Sequence, residues 1–154
     1  AVNKGVDGEQ AVEAGRRVTA SGMKLSMMII LGLAGAEGSE RHALATAKAI
    51  NIIKPTHLSA LCLMLYRGSE LLDQYEAGKF NPLSPAGLMR ELKLIIENID
   101  LPADRHCLFR SNHVSNYVQL AATLPHDKQR LLRDIDYSIA QLSKLKSWDV
   151  YNYN

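Results

Sequence analysis

The chain has 154 residues, of which 47% are apolar and 22% charged; that balance belongs to a folded globular protein and excludes a long disordered one. Its net charge is only +2, with Lys and Arg interspersed among Asp and Glu, which argues against a nucleic-acid-binding surface. No apolar run reaches the roughly 18 residues a membrane span needs, and no secretory leader is visible, so the expectation is a cytoplasmic protein with no membrane partner.

The length fits one domain or part of a larger one. Residues 8–21 read as a helix, with Val12, Gly15 and Val18 recurring on one face and Gly22 at the C-cap. Residues 24–33, KLSMMIILGL, form a continuous apolar run, the pattern of a strand buried on both faces in a parallel sheet. Ser39 is the expected N-cap of the next helix, whose inward residues are Ala43, Ala47 and Ile50 and which Pro55 stops. Residues 57–66, HLSALCLMLY, repeat the apolar strand pattern at a spacing suited to a βαβ unit. A short helix is expected over 69–77. Ser84 followed by Pro85 marks the start of a longer one, with Leu88, Leu92, Ile95 and Ile99 as its buried stripe. Residues 106–110, HCLFR, read as a third strand. Leu131, Ile135, Ile139 and Leu142 mark a last helix within 126–146. Residues 1–146 are thus read as one unit and 147–154 as a tail without a period.

Strands alternating with helices make this an α/β chain with about three parallel strands. Two features sit awkwardly with a complete domain: the sheet is small, and the chain opens on a helix with no strand before it. A truncated (βα) barrel accounts for both. The two cysteines, Cys62 and Cys107, lie far apart and point to buried free thiols, with neither a disulfide nor a metal site. His42, His57, His106 and His126 have no metal-ligand spacing.

In such folds ligands gather at the C-terminal ends of the strands. The first such segment, LGLAGAEGSE, has glycines that permit a tight turn or a close approach to a ligand, but it matches neither a dinucleotide fingerprint nor a P-loop. In the second, YRGSE, Gly68 permits a turn, and Arg67 and Glu70 either face the strand ends or are solvated. The third, FRSNHVSNY, is densest in hydrogen-bonding side chains: Arg110, Ser111, Asn112, His113, Ser115 and Asn116. There His113 can serve as acid, base or ligand, or can fix an irregular loop. A hydrolase reading of His113 lacks both a GxSxG elbow and an adjacent acid.

At these same segments the chain resembles the radical S-adenosylmethionine (radical SAM) superfamily, and more narrowly its branch of bacterial oxidoreductases related to oxygen-independent coproporphyrinogen oxidase. Asn3-Lys4-Gly5-Val6 resembles the NKG before the fourth barrel helix. Ile30-Leu31-Gly32-Leu33-Ala34-Gly35 resembles the I-x-G-L-P-G that ends the fifth strand. Leu65-Tyr66-Arg67-Gly68-Ser69-Glu70-Leu71 resembles the region after the sixth strand. Phe109 to Tyr117, with Leu124-Pro125-His126-Asp127-Lys128, resembles the FRSNHASNY…LPxDK end of the branch and is the most specific of the four. The likeness covers about residues 1–140.

The resemblance implies a partial TIM barrel of about six strands that uses a [4Fe–4S] cluster and S-adenosylmethionine. Ile30, Gly32 and Gly35 would hold the adenosyl group, and Leu65 and Tyr66 would contact adenine. Arg110, Asn112, His113 and Asn116 would lie at the substrate side of the barrel mouth. The cluster-binding C-x-x-x-C-x-x-C is not in this chain, so no cofactor is expected on it and the 154-residue chain is expected to be inactive alone. The family's Glu directly follows the second glycine, whereas here Ala36 intervenes before Glu37. The missing N-terminal half of the barrel is the first partner implied. Without it, the 24–33 strand has an unprotected edge and would pair with a second copy. The alternative is a free-standing α/β binding or regulatory module without radical chemistry.

Overall fold

A computed structural model describes residues 5–144; the expected tail, 147–154, and Asn3-Lys4 lie outside the described residues. Helix α1 (Gly8–Ala20) starts on a capping box: the Asp7 carboxylate accepts from the Gln10 amide at 2.8 Å, and the Gln10 side chain accepts from the Asp7 amide at 3.1 Å. Strand β1 (Ser26–Leu31) leads through a glycine turn into α2 (Gly35–Ile53). Strand β2 (His57–Cys62) is followed by α3 (Glu70–Glu76) and α4 (Pro85–Asn98), each capped by the serine before it, Ser69 and Ser84. Strand β3 (Cys107–Arg110), a ten-residue loop, β4 (Ala121–Leu124) and α5 (Lys128–Leu142) complete the described chain.

The four strands form one open sheet in the order β1-β2-β3-β4. The first three are parallel, with Ser26 opposite His57 and Leu31 opposite Cys62, while β4 runs antiparallel to β3. The parallel strands add in one direction along the sheet. Right-handed crossovers then place their helices on one face, as in a singly wound sheet, and not on both as in a doubly wound one. Burial follows this. Ile29, Leu31, Leu58, Ala60, Cys62, Cys107, Phe109, Ala122 and Leu124 share the helix-covered face and join Ala43, Ile50, Leu88, Met89, Leu92, Ile95, Leu131 and Ile135 in one core. On the opposite face Met28 is 68% exposed and Ile30 37%.

Several expectations change here. The first strand is buried on one face only, because it lies at the sheet edge and the sheet's second face has no cover among the described residues. The sheet has four strands, the last antiparallel, where about three parallel ones were expected. Ser39 does not cap α2: the helix already begins at Gly35, four residues earlier, and the Ser39 hydroxyl is used elsewhere. The expected stripe of α1 is not buried; none of its residues is. The helix instead leans on α2, where a Cβ on Gly15 would stand 2.9 Å from Ile53 and Thr19 Oγ1 donates to the Ile53 carbonyl at 2.8 Å. Between α1, α2 and the free edge of β1 runs an open apolar groove of about 920 Å³.

Candidate functional site at the strand ends

Because β1, β2 and β3 are parallel, Gly32, Gly68 and the 111–116 loop all follow strand C-termini at one end of the sheet. Two constructions stand there, one buried and one open to solvent.

The buried construction is the turn after β1. Gly32 and Gly35 both have positive φ, +81° and +66°, which glycine adopts without steric cost. The Gly32 amide donates to Glu91 Oε1 at 2.8 Å. Glu91 sits on the inward face of α4 with its side chain fully buried. It also accepts from the Ser39 hydroxyl and pairs with His42 Nδ1 at 3.1 Å. Burial alone would raise the Glu91 pKa. The hydrogen bonds from His42, Ser39 and the Gly32 amide, with the charge of His42, outweigh it and hold the carboxyl below its ordinary range. The first amides of α2 are also occupied: Gly35 donates to the Gly32 carbonyl at 3.1 Å and Ala36 to the Asn81 carbonyl at 2.8 Å. Side chains already fill the space the glycines leave. A Cβ on Gly32 would meet Leu88 at 2.7 Å, and one on Gly35 would meet Phe80 and the Asn81 carbonyl at 3.1 Å. Both glycines therefore have a packing reason of their own. Glu37 lies in the first turn of α2 and accepts from Asn81 Nδ2 at 3.3 Å.

The open construction is the loop after β3. Its polar side chains complete the end of β2, where the β2–β3 ladder stops at Ser59 opposite Arg110. The Cys62 amide donates to Asn116 Oδ1 at 2.8 Å and to Ser115 Oγ at 3.2 Å, and Asn116 Nδ2 donates to the Ala60 carbonyl at 2.8 Å. The Asn116 carboxamide thus stands in for the next residue of a strand. His113 turns back within the loop, its Nδ1 2.8 Å from Ser115 Oγ and 3.2 Å from the Ser115 amide. His113 and Ser115 line a small cleft of about 160 Å³ with Ile30, Leu61, Met64 and Tyr66.

The structure therefore brings Ile30, Tyr66 and His113 together. Leu65 is buried and is not among the residues that line the cleft. Arg110 is exposed and its guanidinium donates to the Phe109 carbonyl at 2.7 Å; Asn112 is exposed. Glu91, Ser39 and His42 were missed by sequence reasoning. The available signal was a carboxylate at position 91 inside the apolar stripe of Leu88, Leu92 and Ile95, where only a paired charge is tolerated. His106 and His126 stack at 5.0 Å between ring centres.

The cysteines do not fit an iron–sulfur cluster. Cys62 and Cys107 lie on the helix-covered face, and burial pushes both thiols up to about 11, away from the thiolate form a metal requires. Among the described residues no three His, Cys, Asp or Glu side chains gather as metal ligands, and no helix is long and apolar enough to cross a membrane. No protein-family model matches the chain, and a search of curated proteins finds no recognisably similar sequence.

Proposed function

We propose that this chain is the C-terminal part of a radical SAM oxidoreductase barrel, contributing the adenosyl-side and substrate-side walls but not the cluster. The observation that carries this reading is the meeting of Ile30, Tyr66 and His113, drawn from three separate family-like motifs, in one cleft at the strand ends. The one-sided sheet is consistent with it. A barrel strand is covered by helices outside and by side chains or ligand inside, and among the described residues only the outer cover is present.

At about 160 Å³ the cleft is too small to enclose a whole cofactor and suits one planar portion of it. Ile30 and Leu61 would bear on that portion from the open sheet face, with Tyr66 and His113 at its rim. S-adenosylmethionine, when bound to the parent protein, supplies the radical chemistry. The residues of this chain orient it and shield the site from water. The free edge of β1 would receive the preceding strand of the parent barrel, and in the isolated chain a second copy.

The test is the coding sequence upstream of Ala1, followed by anaerobic iron reconstitution of the polypeptide it encodes. An in-frame C-x-x-x-C-x-x-C roughly a hundred residues or more earlier, with iron and sulfide bound, is the expected result. An initiator Met directly before Ala1 overturns the reading and favours the binding module.

A further inference from the structure

The ring of His113 is exposed on a loop, yet one of its two nitrogens is committed. The Ser115 amide N–H donates to His113 Nδ1 at 3.2 Å, which makes that nitrogen an acceptor. The Ser115 hydroxyl lies 2.8 Å from the same nitrogen. Its oxygen already accepts from the Cys62 amide at 3.2 Å, so its own proton is available for Nδ1. The chain of donation runs from the Cys62 N–H at the end of β2, through the Ser115 hydroxyl, to His113 Nδ1. A neutral imidazole has one proton, and with Nδ1 accepting twice that proton resides on Nε2.

Several of the cleft's other polar groups are already engaged. The Tyr66 hydroxyl donates to the Met64 sulfur at 3.4 Å, the Cys62 amide is shared between Ser115 and Asn116, and Ile30 and Leu61 are apolar. We propose that His113 is held as the Nε2–H tautomer and donates that N–H to a carbonyl oxygen or ring nitrogen of a planar, largely apolar ligand group in the strand-end cleft, with Ser115 as its positioning residue. His113 in this state is a hydrogen-bond donor. It is not a base at Nδ1, whose lone pair is occupied. The tautomer and the free N–H rest on the loop geometry and stand independently of the radical reading; the planar shape of the ligand group rests on that reading.

Long-range proton–nitrogen correlation spectra of the ¹⁵N-histidine-labelled chain, at a pH where the rings are uncharged, read the tautomer directly. His113 is identified by the signal lost in His113→Phe. The expected pattern is Nε2–H, with the preference falling roughly fivefold in Ser115→Ala, the effect of losing one hydroxyl hydrogen bond. An Nδ1–H pattern in the native chain, or no change in Ser115→Ala, overturns the proposal. Binding is probed with 1-methyl-2-pyridone, a planar acceptor, against the N-methylpyridinium ion, a planar group without one. The pyridone is expected to shift the His113 Nε2 resonance and to bind at least roughly fivefold more weakly to His113→Phe. Equal binding of the two probes, or indifference to His113→Phe, defeats the donor role.

Discussion

Two turns at the same end of the sheet, both rich in residues that signal function, are built in opposite ways. The Gly32–Gly35 turn directs its first amides inward, to Glu91, Asn81 and its own carbonyl. The 111–116 loop uses Asn116 and Ser115 to finish strand β2 and leaves the His113 ring at the surface beside a cleft. Glycines after a strand are thus compatible with a turn whose donors are satisfied within the fold. A loop dense in polar side chains can commit most of them to the backbone and leave one exposed beside a cleft.

The largest effect that would sharpen this contrast is expected at Glu91. Glu91→Ala leaves the buried Gly32 amide without its acceptor and unpairs the partly exposed Ser39 hydroxyl and His42 ring, and should cost about 3–5 kcal/mol in urea unfolding. The same carboxyl sets a pH dependence. Its folded pKa is depressed below the ordinary value of 4.5, so its contribution is fully present above that pH. As pH falls below 4.5 toward the folded value, the unfolded state takes up the proton first and the contribution is lost. Glu91→Gln should flatten that acid limb of the stability curve. An unchanged limb would mean that the buried carboxylate is not ionised.

The glycines give the next effect. Gly32→Ala combines a left-handed backbone with a Cβ 2.7 Å from buried Leu88, and should cost about 2–4 kcal/mol. Gly68 has the same φ of +81° but no atom within 4 Å of a Cβ, so Gly68→Ala should cost only about 1 kcal/mol. Equal losses at the two positions would mean that the Leu88 contact does not govern the first turn. The smallest stability effect is expected at His113: His113→Phe removes no buried contact and should change stability by less than about 0.5 kcal/mol, while removing the donor from the cleft. A large loss of stability there would break the comparison, because it would make the open loop as structural as the buried turn.

Much of the frame was legible in the chain. The stripe of Leu88, Leu92, Ile95 and Ile99 is buried as its helical spacing predicts, that of α5 is buried at Leu131 and Ile135 but only partly at Ile139 and Leu142, and all three parallel strands lie within the segments read as strands. Strand β4 was not legible. Its four residues, Ala-Ala-Thr-Leu, are too few and too alanine-rich to show a strand period, and they hold their place by pairing with Cys107–Arg110. The exposed side of β1 was misread for a related reason. A run of Met and Ile has the same composition whether one face or both are covered, and the cover is decided by what packs there.

Local spacing along the chain carries the order of every element except β4, the inward faces of α2 and α4, and the strand-end segments where polar residues collect. These depend on spacings of two to four residues along the chain. That Gly32 answers to Glu91, 59 residues away, and Cys62 to Asn116, 54 residues away, follows from long-range packing and not from local spacing. Those partners meet because parallel strands end together at one end of the sheet, where α4 packs against α2 and β1 and the loop after β3 lies beside the end of β2. There a buried amide must find an acceptor, whatever its distance along the chain.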